Sequence, residues 1–291
     1  MPTDPSAPPP GTPPAPDPGA PLPLPRAADL RLVAVDLDGT LLTPDHELPE
    51  GFWDLLADLD ARGITLVPAS GRQFASIRRV FGARGDHLVM IAENGGFVGR
   101  GEERLAVREL PARAVGAIVE AVRDVAREVP AEVVRCGVGS AWIEHDQPGF
   151  MREVRRYYAK VGWVPDVLDV DDPVMKIAVL APGRSTHVAG RLAGLADDHR
   201  VLSSGPDWVD IMPIGVDKGH ALRDVQAALG VTPEQTVAFG DYLNDLGMFD
   251  AARWTYAMPA GHPDVIAAAR GVAPSNAVGG VVQVMRAILA G

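Results

Sequence analysis

The stretch that decides the fold is Leu32-Val33-Ala34-Val35-Asp36-Leu37-Asp38-Gly39-Thr40. Four consecutive apolar residues that end at a carboxylate are typical of a strand buried on both faces, as in a parallel α/β sheet. Because side chains alternate along an extended backbone, Asp36 and Asp38 point to the same side, and Gly39 lets the chain turn away sharply. Two carboxylates this close repel each other, so the stretch predicts a neighbouring cation or bound proton, unless Asp38-Gly39 is an ordinary turn after a strand.

Predicted strands and helices alternate after this stretch and again near the end of the chain, whereas the middle of the chain has a different order of strands and helices. The alternating segments before this middle part are a helix over 51–62, a strand Ile64–Val67 ending at Ser70, a helix from about Gln73 to Phe81 and a strand Leu88–Ala92. After it come a helix over Asp217–Leu229 and strands over Thr236–Phe239 and Thr255–Met258. Between them, strands over Val133–His145 and Trp208–Met212 mix with helices near 112–127, 149–161 and 184–196.

These patterns predict an α/β fold whose core is a Rossmann-like, doubly wound parallel sheet interrupted by an inserted α+β module. We place the core at residues 28–96 and 214–291 and the insertion at 97–213. Twelve of the first 25 residues are proline, a composition that neither pairs strands nor continues a helix, so residues 1–27 are predicted to be a disordered tail.

Composition excludes several classes of partner. The 27 Lys and Arg residues are outnumbered by 38 Asp and Glu residues, giving a net charge of −11 that repels nucleic acids and anionic membranes. Cys136 is the only cysteine, so no intramolecular disulfide is possible. No apolar run is long enough to cross a bilayer, and the first residues do not resemble a secretion signal. We therefore expect a cytoplasmic protein, a monomer or homodimer, that binds neither nucleic acid nor membrane.

A second acidic motif, Gly240-Asp241-Tyr242-Leu243-Asn244-Asp245, also follows a predicted strand. Asp241 lies where the strand ends, and Asp245 comes four residues later on the same face of the helix predicted to begin there. Hard oxygen ligands at this density suit Mg²⁺, which prefers carboxylate, carbonyl and water ligands in octahedral geometry. The alternative is that Asp241 and Asp245 only cap the start of a helix.

Two further motifs offer groups that bind phosphate. Ser70-Gly71-Arg72 ends the second strand at a predicted helix start, where a hydroxyl, free N–H groups and a guanidinium suit phosphate oxygens. Lys218 opens another helix, where the helix dipole disfavours a cation, so we expect it to answer nearby negative charge, either phosphate or Asp36. Ser-Gly-Arg is also a common turn sequence, and a lysine at a helix start is often a solvated surface residue.

Taken together, these four motifs, in this order along residues 30–291, resemble those of the haloacid dehalogenase superfamily. Glu93-Asn94-Gly95, Asp210-Ile211-Met212-Pro213 and Ser275-Asn276 further resemble its Cof-type (IIB) phosphatases, whose large α/β cap matches the insertion in position and size. The chain departs from that pattern at Ala260-Gly261, where an Asn is expected, and it lacks the acidic residues that usually follow Ser275-Asn276. These departures concern the substrate loops and leave the four motifs intact.

The resemblance implies a Mg²⁺-dependent phosphatase that acts on a small phosphate ester such as a sugar phosphate or a phosphorylated cofactor. It makes Asp36 the nucleophile and Asp38 the general acid/base, with Lys218 supporting them. The remaining implied residues are the metal ligands Asp36, Asp38 (through its backbone carbonyl), Asp241 and Asp245, and the phosphate or substrate contacts Ser70, Gly71, Arg72, Asn94 and Asn244. A phosphomutase of the same superfamily, or a phosphometabolite sensor without turnover, is the alternative.

The cap is expected to determine the substrate, but the sequence does not identify the residues that do so. Six cap side chains are candidates for contacts to the leaving group: Trp142, Trp163, Trp208, His145, Arg135 and Lys176. Tryptophan at a strand position more often serves packing, and the other three residue types are more often ordinary surface or interstrand residues.

Overall fold

The computed structural model describes residues 23–194 and 199–291, and within these ranges the chain forms two β-sheets covered by helices. The strands are β1 Leu32–Asp36, β2 Thr65–Ala69, β3 Val89–Ala92, β4 Phe97–Arg100, β5 Glu103–Val107, β6 Glu132–Gly137, β7 Ala141–Ile143, β8 Val161–Trp163, β9 Val174–Leu180, β10 His199–Ser203, β11 Trp208–Pro213, β12 Thr236–Gly240, β13 Trp254–Ala257 and β14 Gly271–Val272. The helices are α1 Phe52–Ala61, α2 Phe74–Phe81, α3 Ala112–Ala126, α4 Pro148–Tyr157, α5 Ser185–Leu192, α6 Lys218–Leu229, α7 Leu246–Ala251, α8 Pro263–Ala268 and α9 Gly280–Ala290.

The larger sheet is doubly wound, as predicted. Its strand order is β14-β13-β12-β1-β2-β3-β4-β5, and the strands from β14 to β3 run parallel. From β1 the chain moves outward through β2 and β3, and it later returns to β12 on the other side of β1. The winding therefore reverses between β1 and β12, and sheets of this kind bind ligands at the carboxyl ends of the strands at such a point.

Helices cover both faces of this sheet, which explains the uninterrupted apolar run of β1. Every residue of β1 is buried. Val33 and Val35 pack on the face that α1 and α9 cover, whereas Leu32 and Ala34 pack on the face covered by α6, α7 and α8. Burying a Val or Leu side chain fully contributes about 1.5–3 kcal/mol relative to leaving it in water, so the hydrophobic run fixes β1 at the centre of the sheet.

The smaller sheet forms the body of the inserted cap. Its order is β10-β11-β9-β6-β7-β8; β7 and β8 pair in parallel, and the other neighbours are antiparallel. Helices α3 and α5 pack on one face, with Ile118, Val122 and Val188 in the contact. Helix α4 packs on the other face through Phe150 and Val154.

The predicted boundary between core and cap at residue 97 is wrong. Strands β4 and β5 extend the larger sheet as an antiparallel hairpin next to β3, so residues 97–107 lie in the core. The reason is the turn after β3, where Gly95 has a φ of 99° and the chain reverses at once instead of leaving the sheet. The cap therefore runs from about residue 108 to residue 213.

Two local predictions also differ from the structure, and a third lies partly outside the described residues. The predicted strand over 133–145 is two strands joined by a turn, because the Asp172 carboxylate accepts hydrogen bonds from the backbone N–H groups of Gly139 and Ser140. The helix predicted over 149–161 ends at Tyr157, since Tyr158 has extended backbone and packs in the cap interior. Residues 195 and 196 of the helix predicted over 184–196 lie outside the described ranges.

The proline-rich tail falls mostly outside the described residues, which begin at Pro23. Residues 23–27, predicted as part of that tail, lie against the core: Pro25 is buried, and the Tyr256 hydroxyl donates a hydrogen bond of 2.6 Å to the Pro23 carbonyl. A short helical turn, Ala27–Asp29, then leads to β1. No helix in the described part of the chain has the length and apolar character needed to span a membrane.

Candidate active site

The loop after β1 places the first predicted motif at the point where the sheet reverses. Asp36 is the last residue of β1 and is 6% exposed. The chain then turns through Leu37–Leu41, where Gly39 has a φ of 82°. A Cβ atom at Gly39 would overlap the carboxylate of Asp241, so a glycine is needed both for the turn and for the close approach of the two loops.

Three carboxylates from two loops meet beside this turn. Asp36, Asp241 and Asp245 each offer an oxygen, and these oxygens lie within 4.8 Å of one another. The Thr40 hydroxyl donates a hydrogen bond of 3.1 Å to Oδ1 of Asp241 and so fixes its orientation. The structure thus brings together the side chains that sequence analysis predicted as metal ligands, although 199 residues of chain separate β1 from β12.

Asp245 lies in a short turn, Leu243–Asp245, that precedes helix α7, and not on the helix itself as predicted. Its Oδ2 accepts hydrogen bonds from the backbone N–H groups of Asp241, at 2.9 Å, and Tyr242, at 3.0 Å. The carboxylate therefore stabilises its own loop, as the capping alternative requires. Its other oxygen faces the cluster, so the two roles are compatible.

Lys218 is the cation of the cluster. Its side chain is fully buried, and Nζ donates hydrogen bonds to Oδ1 of Asp36, at 2.6 Å, and Oδ1 of Asp245, at 2.7 Å. The next residue, Gly219, lies so close to the carbonyl of Gly247 that a Cβ would not fit between α6 and α7. Of the two sequence-based explanations for Lys218, the structure supports contact with Asp36.

Burial and mutual repulsion govern the protonation of these groups. Burial raises the pKa of Asp36 well above its ordinary value, Lys218 lowers it, and Asp245 and Asp241 raise it again. Burial and the charge of Asp245 raise the pKa of Asp241 to about 6. The carboxylates outweigh burial at Lys218, whose pKa is raised, so it stays cationic. One ammonium does not neutralise three carboxylates, and a divalent cation would lower their pKa values.

The donor set fits a hard divalent cation. All three side chains offer carboxylate oxygens, which Mg²⁺ prefers, and the glycine at position 39 keeps the space beside Asp241 clear. The arrangement is an acidic cluster capable of holding a metal ion, whereas a zinc site would require His or Cys ligands for its usual geometry.

Asp38 and Arg72 form a pair that the sequence did not predict. The guanidinium of Arg72 donates to both carboxylate oxygens of Asp38, with Nε 2.6 Å from Oδ2. His46 Nδ1 lies 3.2 Å from Oδ1 of the same carboxylate. Arg72 was predicted to contact phosphate; in this structure it orients Asp38, while the Ser70 hydroxyl accepts a hydrogen bond of 3.1 Å from the backbone N–H of Arg72.

Asn94 and Asn244 connect the loops after β3 and β12 to cap strand β11. Nδ2 of Asn244 donates to Oδ1 of Asn94 at 3.0 Å, and Nδ2 of Asn94 donates to Oδ2 of Asp210 at 2.7 Å. Asp210 lies on cap strand β11 and also pairs with Lys176 of β9. Sequence analysis gave no role to Asp210 and left Lys176 among the open candidates. The sequence feature that could have drawn attention to Lys176 is that the chain, although acidic, has only three lysines.

A cavity of about 260 Å³ opens between the core loops and the cap. Core and cap side chains line it from opposite sides. The lining includes Asp36, Asp38, Ser70, Gly71, Arg72, Asn94, Asp241 and Asn244 from the core, and Tyr157, Lys176, Trp208 and Asp210 from the cap. Trp208 is therefore the one candidate tryptophan in the lining, with Tyr157 packed edge-on against it. Trp142 donates to Asp172, His145 pairs with Glu132, and Trp163 is 59% exposed on the surface.

Comparison with known proteins gives consistent results. The sequence profile described as haloacid dehalogenase-like hydrolase matches residues 33–285. A 5-amino-6-(5-phospho-D-ribitylamino)uracil phosphatase from Escherichia coli is 29% identical over 264 residues, 89% of this chain and 96% of that protein. An HMP-PP phosphatase from Escherichia fergusonii is 28% identical over 235 residues, 75% of this chain and 80% of that protein.

Solved structures agree with the sequence comparison. A subclass IIB sugar phosphatase of the same superfamily superposes with a TM-score of 0.77 at 20% identity, covering 88% of this chain and 98% of that protein, which establishes the shared fold. The profile match spans most of the core and the whole cap, and it includes all ten residues predicted for the site. The chain belongs to the haloacid dehalogenase-like hydrolases, within the Cof-type (IIB) phosphatase branch of that superfamily.

Proposed function

We propose that this enzyme is a Mg²⁺-dependent phosphomonoester hydrolase that acts on a small phosphorylated metabolite through an aspartyl-phosphate on Asp36. The observation that carries the proposal is the convergence of Asp36, Asp241, Asp245 and Lys218 at the carboxyl ends of β1 and β12. Asp36, Asp241 and Asp38, which lies two residues after Asp36, line the cavity between core and cap. A phosphate-binding protein without turnover has no need for an acid/base carboxylate held next to a nucleophile.

In the proposed reaction an oxygen of Asp36 attacks phosphorus in line with the leaving oxygen. The Asp36–phosphorus bond forms as the bond to the leaving oxygen breaks, and Asp38 gives that oxygen a proton. Water then attacks the aspartyl-phosphate, Asp38 takes a proton from it, and inorganic phosphate and free Asp36 result. Arg72 holds the Asp38 carboxylate by two hydrogen bonds, which limits its rotation between the two proton transfers.

Negative charge on the transferring phosphoryl group is spread over three oxygens, so electrostatic stabilisation of these oxygens is the main contribution to catalysis. Lys218 fixes the attacking carboxylate and supplies positive charge beneath it. Ser70, Gly71 and Asn94 line the cavity beside Asp36 and are proposed to contact phosphate oxygens. Asp36, Asp241, Asp245 and the backbone carbonyl of Asp38 would hold Mg²⁺, which when bound neutralises phosphate charge and keeps Asp36 ionised.

The substrate is proposed to be small. A cavity of about 260 Å³ accepts a phosphate and a compact leaving group but not a polymer, and Tyr157 and Trp208 give its cap side an aromatic surface. The two phosphatases compared above are named for small phosphorylated compounds. The enzyme is proposed to work in the cytoplasm, where its single, buried cysteine needs no disulfide partner. It is further proposed to be a monomer or homodimer without nucleic acid or membrane partners.

The test is release of inorganic phosphate by purified protein, with and without Mg²⁺, from para-nitrophenyl phosphate and a panel of sugar phosphates, nucleotides, flavin mononucleotide and pyridoxal phosphate. Asp36→Asn should reduce turnover by at least about 10⁴-fold, since it removes the nucleophile, while its melting temperature stays near that of the wild type. Asp45→Asn, an exposed carboxylate in the same loop, is the matched control and should behave like the wild type.

Three outcomes would overturn parts of the proposal. Retained turnover in Asp36→Asn would remove Asp36 from the role of nucleophile. A wild-type protein that binds panel compounds tightly but releases no phosphate would favour the sensor alternative, and phosphate transferred to a second position of the substrate without release would favour a phosphomutase.

A further inference from the structure

Lys176 lies at the contact between cap and core, and its side chain is 2% exposed. It belongs to cap strand β9, but Nζ donates a hydrogen bond of 2.9 Å to the carbonyl of Gly71, in the core loop after β2. The same ammonium lies 3.0 Å from Oε2 of Glu93, in the core loop after β3, and 3.1 Å from Oδ1 of Asp210, on cap strand β11. One buried cation from the cap therefore contacts two core loops of the proposed phosphate site.

Asp210 extends this connection to the other side of the site. Its second carboxylate oxygen accepts a hydrogen bond from Asn94, which in turn accepts one from Asn244. The backbone N–H of Asn94 donates to the carbonyl of Ser70 at 3.0 Å. Two cap side chains thus hold the loop of Ser70 and Gly71 and the loop of Asn94 relative to each other.

The backbone of the Asn94 loop needs such support. Glu93 and Asn94 have φ angles of 50° and 52°, in the left-handed region that costs non-glycine residues free energy. Both side chains are buried, at 1% and 2% exposure. Their contacts with Lys176 and Asp210 come from another module, so the conformation of this core loop depends on the cap.

Buried ion pairs are an expensive way to gain stability, because desolvation offsets much of their attraction. Burial raises the pKa of Glu93, which shows the cost of this position, although Lys176 opposes the shift. Apolar residues of the same volume would serve a purely structural contact as well. A lysine shared between two carboxylates and a carbonyl instead holds those three groups in fixed orientations, and a loop that binds phosphate requires such fixed geometry.

We propose that Lys176 and Asp210 are positioning residues that the cap supplies to the phosphate site, holding Ser70, Gly71 and Asn94 in the geometry that binds the transferred phosphoryl group. The inference rests on the proposed function and extends it, because the cap then acts on the phosphate as well as on the leaving group. Removing Lys176 should weaken the enzyme equally for large and small substrates, including those too small to touch the cap.

The experiment compares three variants in the full-length protein. Lys176→Met is the test. Arg135→Met removes another buried cap cation that donates to backbone carbonyls, those of Val170 and Asp172, but points to the opposite face of the cap sheet. Lys160→Met removes an exposed lysine. The readouts are kcat and KM for para-nitrophenyl phosphate and for the best panel substrate, the Kd of inorganic phosphate with Mg²⁺, and the melting temperature.

We expect Lys176→Met to lower kcat/KM by on the order of 100-fold for both substrates, as a displacement of about 1 Å does, and to weaken inorganic phosphate binding in parallel. Arg135→Met is expected to lower the melting temperature while kcat/KM and the Kd of inorganic phosphate stay near wild-type values. A loss confined to the larger substrate would overturn the inference and make Lys176 a leaving-group contact. Unchanged kinetics and phosphate affinity would make Lys176 structural only.

If Lys176→Met does not fold, Lys176→Met/Glu93→Gln replaces it. Removing one cation and one carboxylate keeps the net charge of Lys176, Glu93 and Asp210 at −1, so the double variant should fold but still bind phosphate weakly. Wild-type phosphate affinity in a folded double variant would overturn the inference. Failure of the proposed function looks different: wild-type protein would release no phosphate, while the Kd of inorganic phosphate would still test the role of Lys176.

Discussion

Replacing Lys218 with methionine tests the electrostatics of the site most directly. The side chain is fully buried, and its ammonium lies 2.6 Å from Asp36 and 2.7 Å from Asp245. Methionine has nearly the same length and removes only the charge and the three donors. Asp245 keeps its two backbone N–H donors, whereas Asp36, on the described side-chain contacts, loses its ammonium partner.

The expected cost follows from leaving buried charge uncompensated. Removing one member of a buried ion pair destabilises a protein by about 3–5 kcal/mol. For a chain of this size each kcal/mol lowers the melting temperature by roughly 2–4 °C, so Lys218→Met without metal should melt on the order of 10 °C below the wild type. Burial already raises the pKa of Asp36 and Lys218 lowers it, so loss of the ammonium should raise this pKa further and weaken Asp36 as a nucleophile.

The assay is thermal unfolding of metal-free protein at pH 7, combined with phosphate release from para-nitrophenyl phosphate in Mg²⁺. Lys160→Met, which removes an exposed lysine, should change neither measurement. Lys218→Met/Asp245→Asn should recover part of the stability, because one carboxylate leaves with the cation, but none of the activity. A Lys218→Met protein that melts within about 2 °C of the wild type would refute the argument that this lysine compensates buried carboxylates.

Two further predictions concern the carboxylate cluster. Gly39→Ala places a Cβ against the carboxylate of Asp241 at a φ of 82°, so this variant should lose the rise in melting temperature that Mg²⁺ causes in the wild type. Gly63→Ala is the control, because Gly63 has a φ of 67° and no atom within 4 Å of the added Cβ. It should lose only about 1 kcal/mol of stability to left-handed backbone and keep the rise with Mg²⁺. The pKa of Asp241 is raised from 3.8 to about 6, so the folded state holds its proton more tightly than the unfolded state. Metal-free wild type should therefore lose on the order of 3 kcal/mol of stability, relative to Asp241→Asn, as the pH rises from about 4 to about 6. Equal slopes of unfolding free energy against pH in the two proteins would contradict this assignment.

Local sequence predicted the core of the fold well because the relevant signals are local. An apolar run ending at Asp36 can be covered on both faces only in a sheet with helices on each side. The carboxyl ends of parallel strands share one edge of a sheet, so residues after β1, β2 and β12 had to approach one another once those strands were neighbours. The doubly wound core and the meeting of Asp36, Asp241 and Asp245 follow from that geometry.

The boundary between core and cap and the contacts between side chains of different loops were harder to predict from the sequence. Residues 97–107 have the same alternating pattern as cap strands, and only the turn at Gly95 decides that they pair with β3. Asp38 and Arg72 each belong to a motif that the sequence analysis identified, but nothing in either motif indicates that the two side chains bind each other. Such contacts depend on the distance between loops, which the spacing of residues along a chain does not encode.

The sequence by itself determined the sheet, the strand ends that carry chemistry and the acidic character of the site, because each depends on the pattern within a single segment. Only the tertiary structure decided that Lys218 forms buried ion pairs with both Asp36 and Asp245, and that Lys176 joins the cap to Gly71 and Glu93. A lysine in isolation is equally suited to a solvated surface and a buried pair. Its role is set by which carboxylates distant parts of the chain bring within hydrogen-bonding range as the core and cap pack together.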